Sequence, residues 1–275
     1  MNSNQYDEKE QLKKAQIKIA KEIKRICEKN NINYFLDAGS MLGAVRHNGF
    51  IPWDDDMDIG MLDKDYQRFL QLAPKELGEE FFLDNYELDK DYGLVFSKMR
   101  LKNTIYKERL GSKTAKHQEI FVDIFSYINR PENEKKRRIQ SNKLRILSQI
   151  FMAQSGFHLW DGNRGISKIK FLPIIILAKT LNKDRVYRRI YKISKCEDSK
   201  IIGVHDGISY HYWFYDSEYL NEFIDIQFEN EVFRIPAKYN EILTITYGED
   251  YMQLPPIEKR RNHEILELDL GNVKI

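Results

Sequence analysis

One stretch of the sequence decides the fold: DAGSMLGAVRHNGFIPWDDDMDIGM, from Asp37 to Met61. The apolar residues Tyr34 to Leu36 just before it are typical of a short buried strand, and Met41 to Arg46 have the spacing of a helix. His47-Asn48-Gly49 predicts a turn, and the alternation from Met57 to Met61 predicts a second strand. The stretch is therefore expected to run strand, helix, acidic loop, strand.

Four carboxylates fall within five positions of this stretch, at Asp54 to Asp56 and at Asp58. On a strand, residues two apart point the same way, so Asp56 and Asp58 are expected side by side. Adjacent carboxylates repel unless a cation lies between them, and such hard oxygen ligands suit Mg²⁺ or Mn²⁺. A calcium EF-hand is excluded, because its loop requires Gly where Ile59 stands and a bidentate Glu where Asp65 stands.

A third carboxylate and a small-residue turn complete the pattern. Asp123 lies on a predicted strand, Ile120 to Tyr127, among apolar neighbours where an unpaired carboxylate is costly to bury. We expect it either to join the metal site or to pair with an arginine at the sheet edge. Gly39-Ser40 lies at a strand-to-helix turn, where a phosphate can approach the backbone and the helix N-terminus. This order of features is that of a nucleotidyltransferase site.

The rest of the chain predicts a mixed sheet with helices. Apolar residues at three-to-four spacing predict a helix from Asp7 to Lys29, with Asp7 as its cap. The other predicted elements are a helix over Asp63–Ala73 that ends before Pro74, a strand over Leu94–Leu101, a hairpin of Phe223–Phe228 and Glu231–Ile235, and a helix over Lys238–Tyr247 that Gly248 stops.

These elements predict an α/β (α+β) fold in three consecutive parts. Residues 1–129 form the catalytic core, a mixed sheet flanked by helices. Residues 130–200 form a basic helical insertion. Residues 201–275 form a hairpin-helix segment that packs back on the core, so that the chain is one compact unit.

Length and composition bound the class of protein. A chain of 275 residues with 42% hydrophobic and 31% charged residues can bury a large core, which excludes disorder of the whole chain. Cys27 and Cys196 form no metal-binding spacing and no disulfide framework, and the first residues are too polar for a signal peptide. The longest apolar run, Phe171 to Ala178, is far too short to span a bilayer. We therefore expect a cytoplasmic protein.

Charge is distributed unevenly along the chain. The net charge is +2, but residues 130–195 carry 17 Lys and Arg against 4 Asp and Glu. Such a segment marks a surface for polyanions or anionic lipid, or it is a solvated helical face. Apolar residues are interleaved with the basic ones, as in helices that lie on a membrane surface. Nucleic-acid binding is disfavoured, because the remaining residues are net negative.

The stretch from Asp37 to Met61 resembles the signature of the LicD family. These are phosphotransferases of nucleotidyltransferase-like fold that move phosphocholine or related groups from CDP-activated donors onto cell-surface glycans, and they include relatives of fukutin-related protein. Val122-Asp123-Ile124-Phe125 resembles the family's later VDIF-type strand. The tail is similar to the family's closing pattern at Phe228-Glu229-Asn230, Ile235-Pro236, Tyr247 to Met252, Leu254-Pro255-Pro256, Arg261 and His263.

The resemblance covers residues 32–127 and 226–263, and it implies the residues of the site. Asp56 and Asp58 would bind Mg²⁺ or Mn²⁺, and Asp123 would be the third metal-binding carboxylate and a candidate base for the acceptor hydroxyl. Ala38 and Asn230 stand where the family usually has Gly. The donor and its phosphates would be bound by Gly39, Ser40, Arg46, Lys98, Arg100 and His263. Each of the three Arg and Lys residues could equally form a surface ion pair, and the histidine could be structural.

The resemblance also implies a reaction. We expect a Mg²⁺-dependent transferase that moves phosphocholine, or a related phospho or phosphono head group, from a CDP-activated donor to a glycan hydroxyl and releases CMP. A lipid-linked acceptor would give the basic region a role at the inner membrane face. The quaternary ammonium group of choline would be bound by aromatic side chains. The candidates are Tyr106, Tyr210, Tyr212 and Trp213.

Two alternatives stay open at this point. The same fold and site could transfer a nucleotidyl group from an NTP to a small molecule or protein and release diphosphate. The acidic loop could also be a vestigial metal site in a non-catalytic glycan-binding or scaffold protein.

Overall fold

The computed structural model describes residues 3–108, 117–157, 165–195, 199–204, 213–260 and 265–273. The helices in these ranges are α1 (Ser3–Lys29), α2 (Ala38–His47), α3 (Asp63–Glu76), α4 (Glu134–Gln154), α5 (Gly165–Thr180), α6 (Lys183–Ser194) and α7 (Tyr239–Tyr247). The strands are β1 (Phe35–Leu36), β2 (Asp58–Leu62), β3 (Phe81–Asp84), β4 (Ser97–Leu101), β5 (Ile105–Glu108), β6 (Phe121–Arg130), β7 (Ile201–Val204), β8 (Tyr215–Asp216), β9 (Phe223–Phe228), β10 (Glu231–Pro236) and β11 (Ile265–Asp269).

A mixed sheet carries the residues of the predicted site. β2 pairs antiparallel with β1 and parallel with β6. Along the other edge of β6, β4 pairs with its first half and β7 with its second half, both antiparallel. β3 extends the sheet from β4, and β8 extends it from β7. The register aligns Asp58 with Asp123 across β2 and β6, and Lys98 with Asp123 across β4 and β6.

The long helix α1 covers one face of this sheet. Its apolar residues recur every three to four positions, and Leu12, Ile19 and Ile23 are fully buried in the main core against β4 and β6. The same buried face carries one polar residue, Gln16, whose side chain reaches the acidic loop. The helix therefore both closes the core and supports the site.

The basic region packs on a second apolar cluster. Leu144, Ile150 and Phe151 of α4 and Ile190 of α6 are buried against residues 86–96, which precede β4. The structure thus confirms the predicted basic helices. Among the described residues, none of the helices has the combination of length and apolar character that a membrane span requires.

Most predicted elements are confirmed, and the differences have local causes. α1 begins at Ser3, so Asp7 is not its cap. α3 continues past Pro74 to Glu76 because a proline in the last turn breaks only that turn's bonding, and the Leu77 N–H still reaches the Ala73 carbonyl at 3.0 Å. β4 begins at Ser97 rather than Leu94. The apolar side chains of residues 94–96 pack in the second cluster, so their apolar character does not reflect strand pairing.

The sheet also contains strands that the sequence pattern did not predict. β7 and β8 come from the stretch after residue 200, where the pattern indicated only an aromatic-rich segment. Both are short, at four and two residues, so their alternation carries little signal. Through β7, the C-terminal part of the chain adds directly to the catalytic sheet.

Candidate functional site

Two carboxylates and one ammonium group meet across three strands. β2, β6 and β4 align Asp58, Asp123 and Lys98 in register, so their side chains share one face of the sheet. Lys98 Nζ lies 2.7 Å from Asp123 Oδ1, and both side chains are largely buried. The ion-pair partner of Asp123 is thus a lysine of the adjacent strand, not the arginine at the sheet edge that one prediction offered.

Negative charge is concentrated around Asp58. Burial raises the pKa of the Asp58 carboxyl well above its ordinary value, and the carboxylates of Asp56, Asp123, Asp37 and Asp54 raise it further. Oxygen atoms of Asp54, Asp55 and Asp56 also lie within 4.8 Å of one another. This donor set fits Mg²⁺ or Mn²⁺, because a divalent cation favours the ionised forms that the carboxylates disfavour in each other.

Asp56 does not lie on the strand as predicted. β2 begins at Asp58, and residues 52–57 form a loop whose last carbonyl, that of Met57, accepts the Asp123 N–H at 3.0 Å. Asp56 therefore lies at the end of the loop, near enough for its charge to act on Asp58, and not at the i, i+2 position of a strand. The roles of Asp56, Asp58 and Asp123 as metal ligands stay a prediction.

Side chains of α1 and β5 hold the backbone of the acidic loop, residues 52–57. The carbonyl of Asp55 accepts hydrogen bonds from the side-chain amide of Gln16 at 2.9 Å and from the Tyr106 hydroxyl at 3.4 Å. Tyr106 is fully buried and supports the loop. The prediction that it forms a wall of a ligand cavity is therefore wrong. Such anchoring fixes the positions from which Asp54 and Asp56 project.

Gly39 and Ser40 bind the acidic residues to α2. Ser40 Oγ accepts the backbone N–H of Asp58 at 2.9 Å, and the pair lies in the first turn of the helix rather than before it. A Cβ on Gly39 would lie 2.9 Å from Asp54 Oδ2, so the missing side chain leaves room for that carboxylate. Their predicted contact with donor phosphate stays a prediction.

Asp37 caps α2 next to these residues. Its carboxylate accepts the Ala38 N–H at 2.8 Å and the Tyr127 hydroxyl at 2.7 Å. Ala38 has a positive φ of 43°, a conformation that glycine adopts more readily. This conformation gives a physical reason for the glycine that the family usually has at position 38.

The predicted cations have different partners. Arg100 forms a buried ion pair with Asp84 at 2.9 Å and donates to the Glu119 carbonyl at 2.8 Å. Arg46 donates to the carbonyls of Tyr251 and Gln253 at 2.7 and 3.2 Å. Of the three, Lys98 is the one whose described ion pair is with a carboxylate of the predicted site.

Two arginines lie near the ring of Trp53, which belongs to the loop of residues 52–57. The guanidinium carbon of Arg46 is 5.9 Å from the ring centroid, and that of Arg260 is 4.4 Å from it. Sequence reasoning missed Arg260, which precedes Arg261 of the tail pattern but was not part of that pattern. Arg261, His263, Tyr210 and Tyr212 lie outside the described residues, so their predicted roles stay predictions.

Residues 31–162 match the model of the LicD/FKTN/FKRP nucleotidyltransferase domain family. This part of the chain is therefore similar to the LicD family. The match includes the α2 motif, the acidic loop, β2, β4 and β6, and therefore every strand that positions the carboxylates.

Two named relatives show how far the similarity extends along the chain. It is 29% identical over 244 residues to the lipopolysaccharide cholinephosphotransferase LicD of Haemophilus influenzae, which covers 88% of this chain and 90% of that protein. It is 42% identical over 53 residues to the human ribitol 5-phosphate transferase FKRP, which covers 19% of this chain and 11% of that protein. The similarity to the bacterial relative thus includes the basic helices, whereas the similarity to FKRP is local.

Proposed function

We propose that this protein transfers phosphocholine from a CDP-activated donor to a hydroxyl of a glycan and releases CMP. The chain is a LicD-type phosphotransferase and a homologue of a cholinephosphotransferase. The observation that carries the proposal is the alignment of Asp58 and Asp123 on neighbouring parallel strands, with the acidic loop beside them. A glycan acceptor is favoured because the relative that covers most of the chain is named for lipopolysaccharide.

Asp56, Asp58 and Asp123 would hold Mg²⁺ or Mn²⁺. Such an ion, when bound, neutralises charge on the phosphate oxygens of the donor. Ser40 and Gln16 hold the backbone from which these carboxylates project, so that the ligands are positioned before the donor arrives. Lys98 fixes the orientation of Asp123.

Asp123 is also the residue that we propose as base. An acceptor hydroxyl oxygen attacks the phosphorus of the choline phosphate, and the bond from that phosphorus to the bridging oxygen of CMP breaks. The hydroxyl proton passes to Asp123, and CMP leaves with the bond's electron pair. The ion pair with Lys98 holds the carboxylate at the sheet face where that proton would arrive.

A donor panel tests this function. Purified protein is incubated with Mg²⁺ and with CDP-choline, CDP-ethanolamine, CDP-ribitol, CDP-glycerol or an NTP, and nucleotide products are measured. We expect CMP from CDP-choline, lost on removal of the metal. Diphosphate from an NTP with no CMP from any CDP donor would favour the nucleotidyltransferase alternative. No product and no donor binding would favour the non-catalytic alternative.

We further propose that the protein meets a lipid-linked acceptor at the cytoplasmic face of an anionic membrane. The observation that supports this is an exposed apolar face on α5, where Leu172 and Ile176 are 51% and 54% exposed one turn apart. Lys179 lies on the same helix and Lys183 is the first residue of α6, and both belong to the strongly basic region. Exposed apolar side chains with flanking lysines suit the interface of anionic lipid.

Vesicle flotation tests the membrane contact. The protein is expected to float with vesicles that contain phosphatidylglycerol and not with pure phosphatidylcholine. The double variant Leu172→Glu, Ile176→Glu should lose flotation. Ile224→Glu, Val232→Glu is the matched control, because these two residues of the β9–β10 hairpin are equally apolar and each is 41% exposed. Equal flotation of both double variants would remove the proposed contact.

A further inference from the structure

A cavity opens directly beside the carboxylates. It has a volume of about 190 Å³, and Asp58 and Asp37 lie in its wall. At roughly 30 Å³ for each water molecule, this space holds about six waters, enough for a head group of a few carbon atoms. Its contact with Asp58 places it next to the position at which the transferred phosphorus must lie.

The aromatic rings of this cavity come from β6 and from later parts of the chain. Asp123, Phe125 and Tyr127 alternate along β6, so the carboxylate and the two rings share one face of the sheet. Tyr215 of β8 and Tyr247 at the end of α7 supply further rings, and Trp213 lies just before β8. Five aromatic rings therefore line a small space that opens on the acidic site.

Two tyrosine hydroxyls in the wall are already engaged. The Tyr127 hydroxyl donates to Asp37 Oδ1 at 2.7 Å. The Tyr215 hydroxyl and Thr246 Oγ1 share a hydrogen bond of 2.7 Å. These two hydroxyl protons are therefore not available to a head group in the cavity, whose other lining is largely apolar and aromatic.

The charge of the cavity has one sign. Among the described residues that line it, the charged ones are Asp37 and Asp58, and none is Lys, Arg or His. Because Asp58 is assigned to the metal, the aromatic faces and the Asp37 carboxylate are what attract a cation into this space. A weakly hydrated cation with no hydrogen to donate loses least on entering it.

We propose that this cavity binds the quaternary ammonium head group of the donor and selects it against polyols such as ribitol. The inference rests on the proposed function, since it assigns the head-group site of the same reaction. Trp213 and Tyr247 are the specificity residues, because their rings complete the cavity from outside the sheet. Tyr247 is 40% exposed, so its ring can be replaced with little effect on the core.

Calorimetric binding of four ligands tests this assignment: CMP, CDP-choline, CDP-ribitol and the ester of CDP with 3,3-dimethylbutanol, in which carbon replaces the quaternary nitrogen. CDP-choline is expected to bind at least about tenfold more tightly than the neutral isostere, from the cation–π contribution. CDP-ribitol is expected to bind no better than CMP. Isostere or ribitol affinity equal to that of CDP-choline would overturn the inference and leave the proposed transferase standing.

Variants separate the cavity from the rest of the donor site. Trp213→Leu and Tyr247→Leu should reduce CDP-choline affinity to that of CMP and leave CMP affinity unchanged, whereas Tyr247→Phe should keep the preference. Tyr191→Leu, which removes a ring that is 39% exposed on α6, is the matched control. Unchanged CDP-choline affinity in both leucine variants of the cavity would overturn the inference. Failure to bind any of the four nucleotides would overturn the proposed function together with it.

Discussion

The Lys98–Asp123 pair illustrates how single residues prepare the site. Two largely buried side chains form an ion pair at 2.7 Å on the sheet face that also carries Asp58. The ammonium group offsets charge that a metal would otherwise have to offset alone. Removing one member of such a pair leaves a buried charge, which is the costly state.

Lys98→Met is expected to lower the free energy of unfolding by roughly 3 kcal/mol in the presence of EDTA, measured by urea denaturation. Added Mn²⁺ should recover part of this loss, because a cation at Asp123 replaces the missing ammonium. Lys102→Met is the control, since Lys102 Nζ contacts only the exposed Glu79 carbonyl at 2.7 Å in the described contacts. A variant that Mn²⁺ does not stabilise would argue against metal at Asp123.

Ser40 makes a second residue-level prediction. Its hydroxyl oxygen accepts the Asp58 N–H at 2.9 Å at the start of β2. Ser40→Ala should lower the free energy of unfolding by about 1–3 kcal/mol, because it leaves a partly buried donor unsatisfied. Ser148→Ala is the matched control: Ser148 is buried in α4, and its hydroxyl has no hydrogen-bond partner among the described residues. Equal losses in the two variants would contradict a specific role for the Ser40 bond.

At the scale of elements, the β9–β10 hairpin forms hydrogen bonds with the turn of residues 48–50, which leads into the acidic loop. Glu229, at the tip of the hairpin, donates its N–H to the Asn48 carbonyl at 2.7 Å and accepts the Phe50 N–H on Oε1 at 3.0 Å. A Cβ on Gly49 would collide with the Glu229 side chain, so glycine is required for this close approach. The hairpin therefore ties the tail of the sequence to the first motif.

Glu229→Ala should destabilise the protein by about 1–2 kcal/mol and weaken Mn²⁺ binding, because the loop that carries Asp54 and Asp56 loses its anchor. Glu229→Gln keeps the acceptor oxygen and should retain most of both. Denaturation and Mn²⁺ titration measure the two effects. Loss of stability without any change in Mn²⁺ affinity would show that the hairpin supports the fold and not the site.

At the scale of the whole molecule, local patterns in the sequence predicted which strands carry the candidate residues. Alternation along two short apolar segments predicted a strand for Asp58 and another for Asp123, and the structure has the two residues in register on neighbouring strands. Lys98 was predicted on the same face and is there. Local periodicity determines these features, so a single sequence carries them.

Side-chain contacts between residues far apart in the sequence could not be predicted from local periodicity. Arg100 was a candidate for phosphate, but Asp84 of β3 holds it, and no spacing rule pairs residues across strands whose register is unknown. Tyr106 was predicted as a cavity wall but lies under the acidic loop, whereas Tyr215 and Tyr247 enter the cavity through β8 and α7. Tertiary packing decides which aromatic residues face a ligand.

The proposed function requires the carboxylates on β2 and β6 to hold a divalent metal for phosphotransfer. Metal-titrated CMP release from CDP-choline by wild type, Asp58→Asn and Asp225→Asn tests it most directly. Asp225 is the matched control because its side chain is 72% exposed on β9. We expect Mg²⁺-dependent release that Asp58→Asn lowers by about a hundredfold or more and Asp225→Asn leaves unchanged. Release that persists in Asp58→Asn, or that needs no divalent metal, would contradict it.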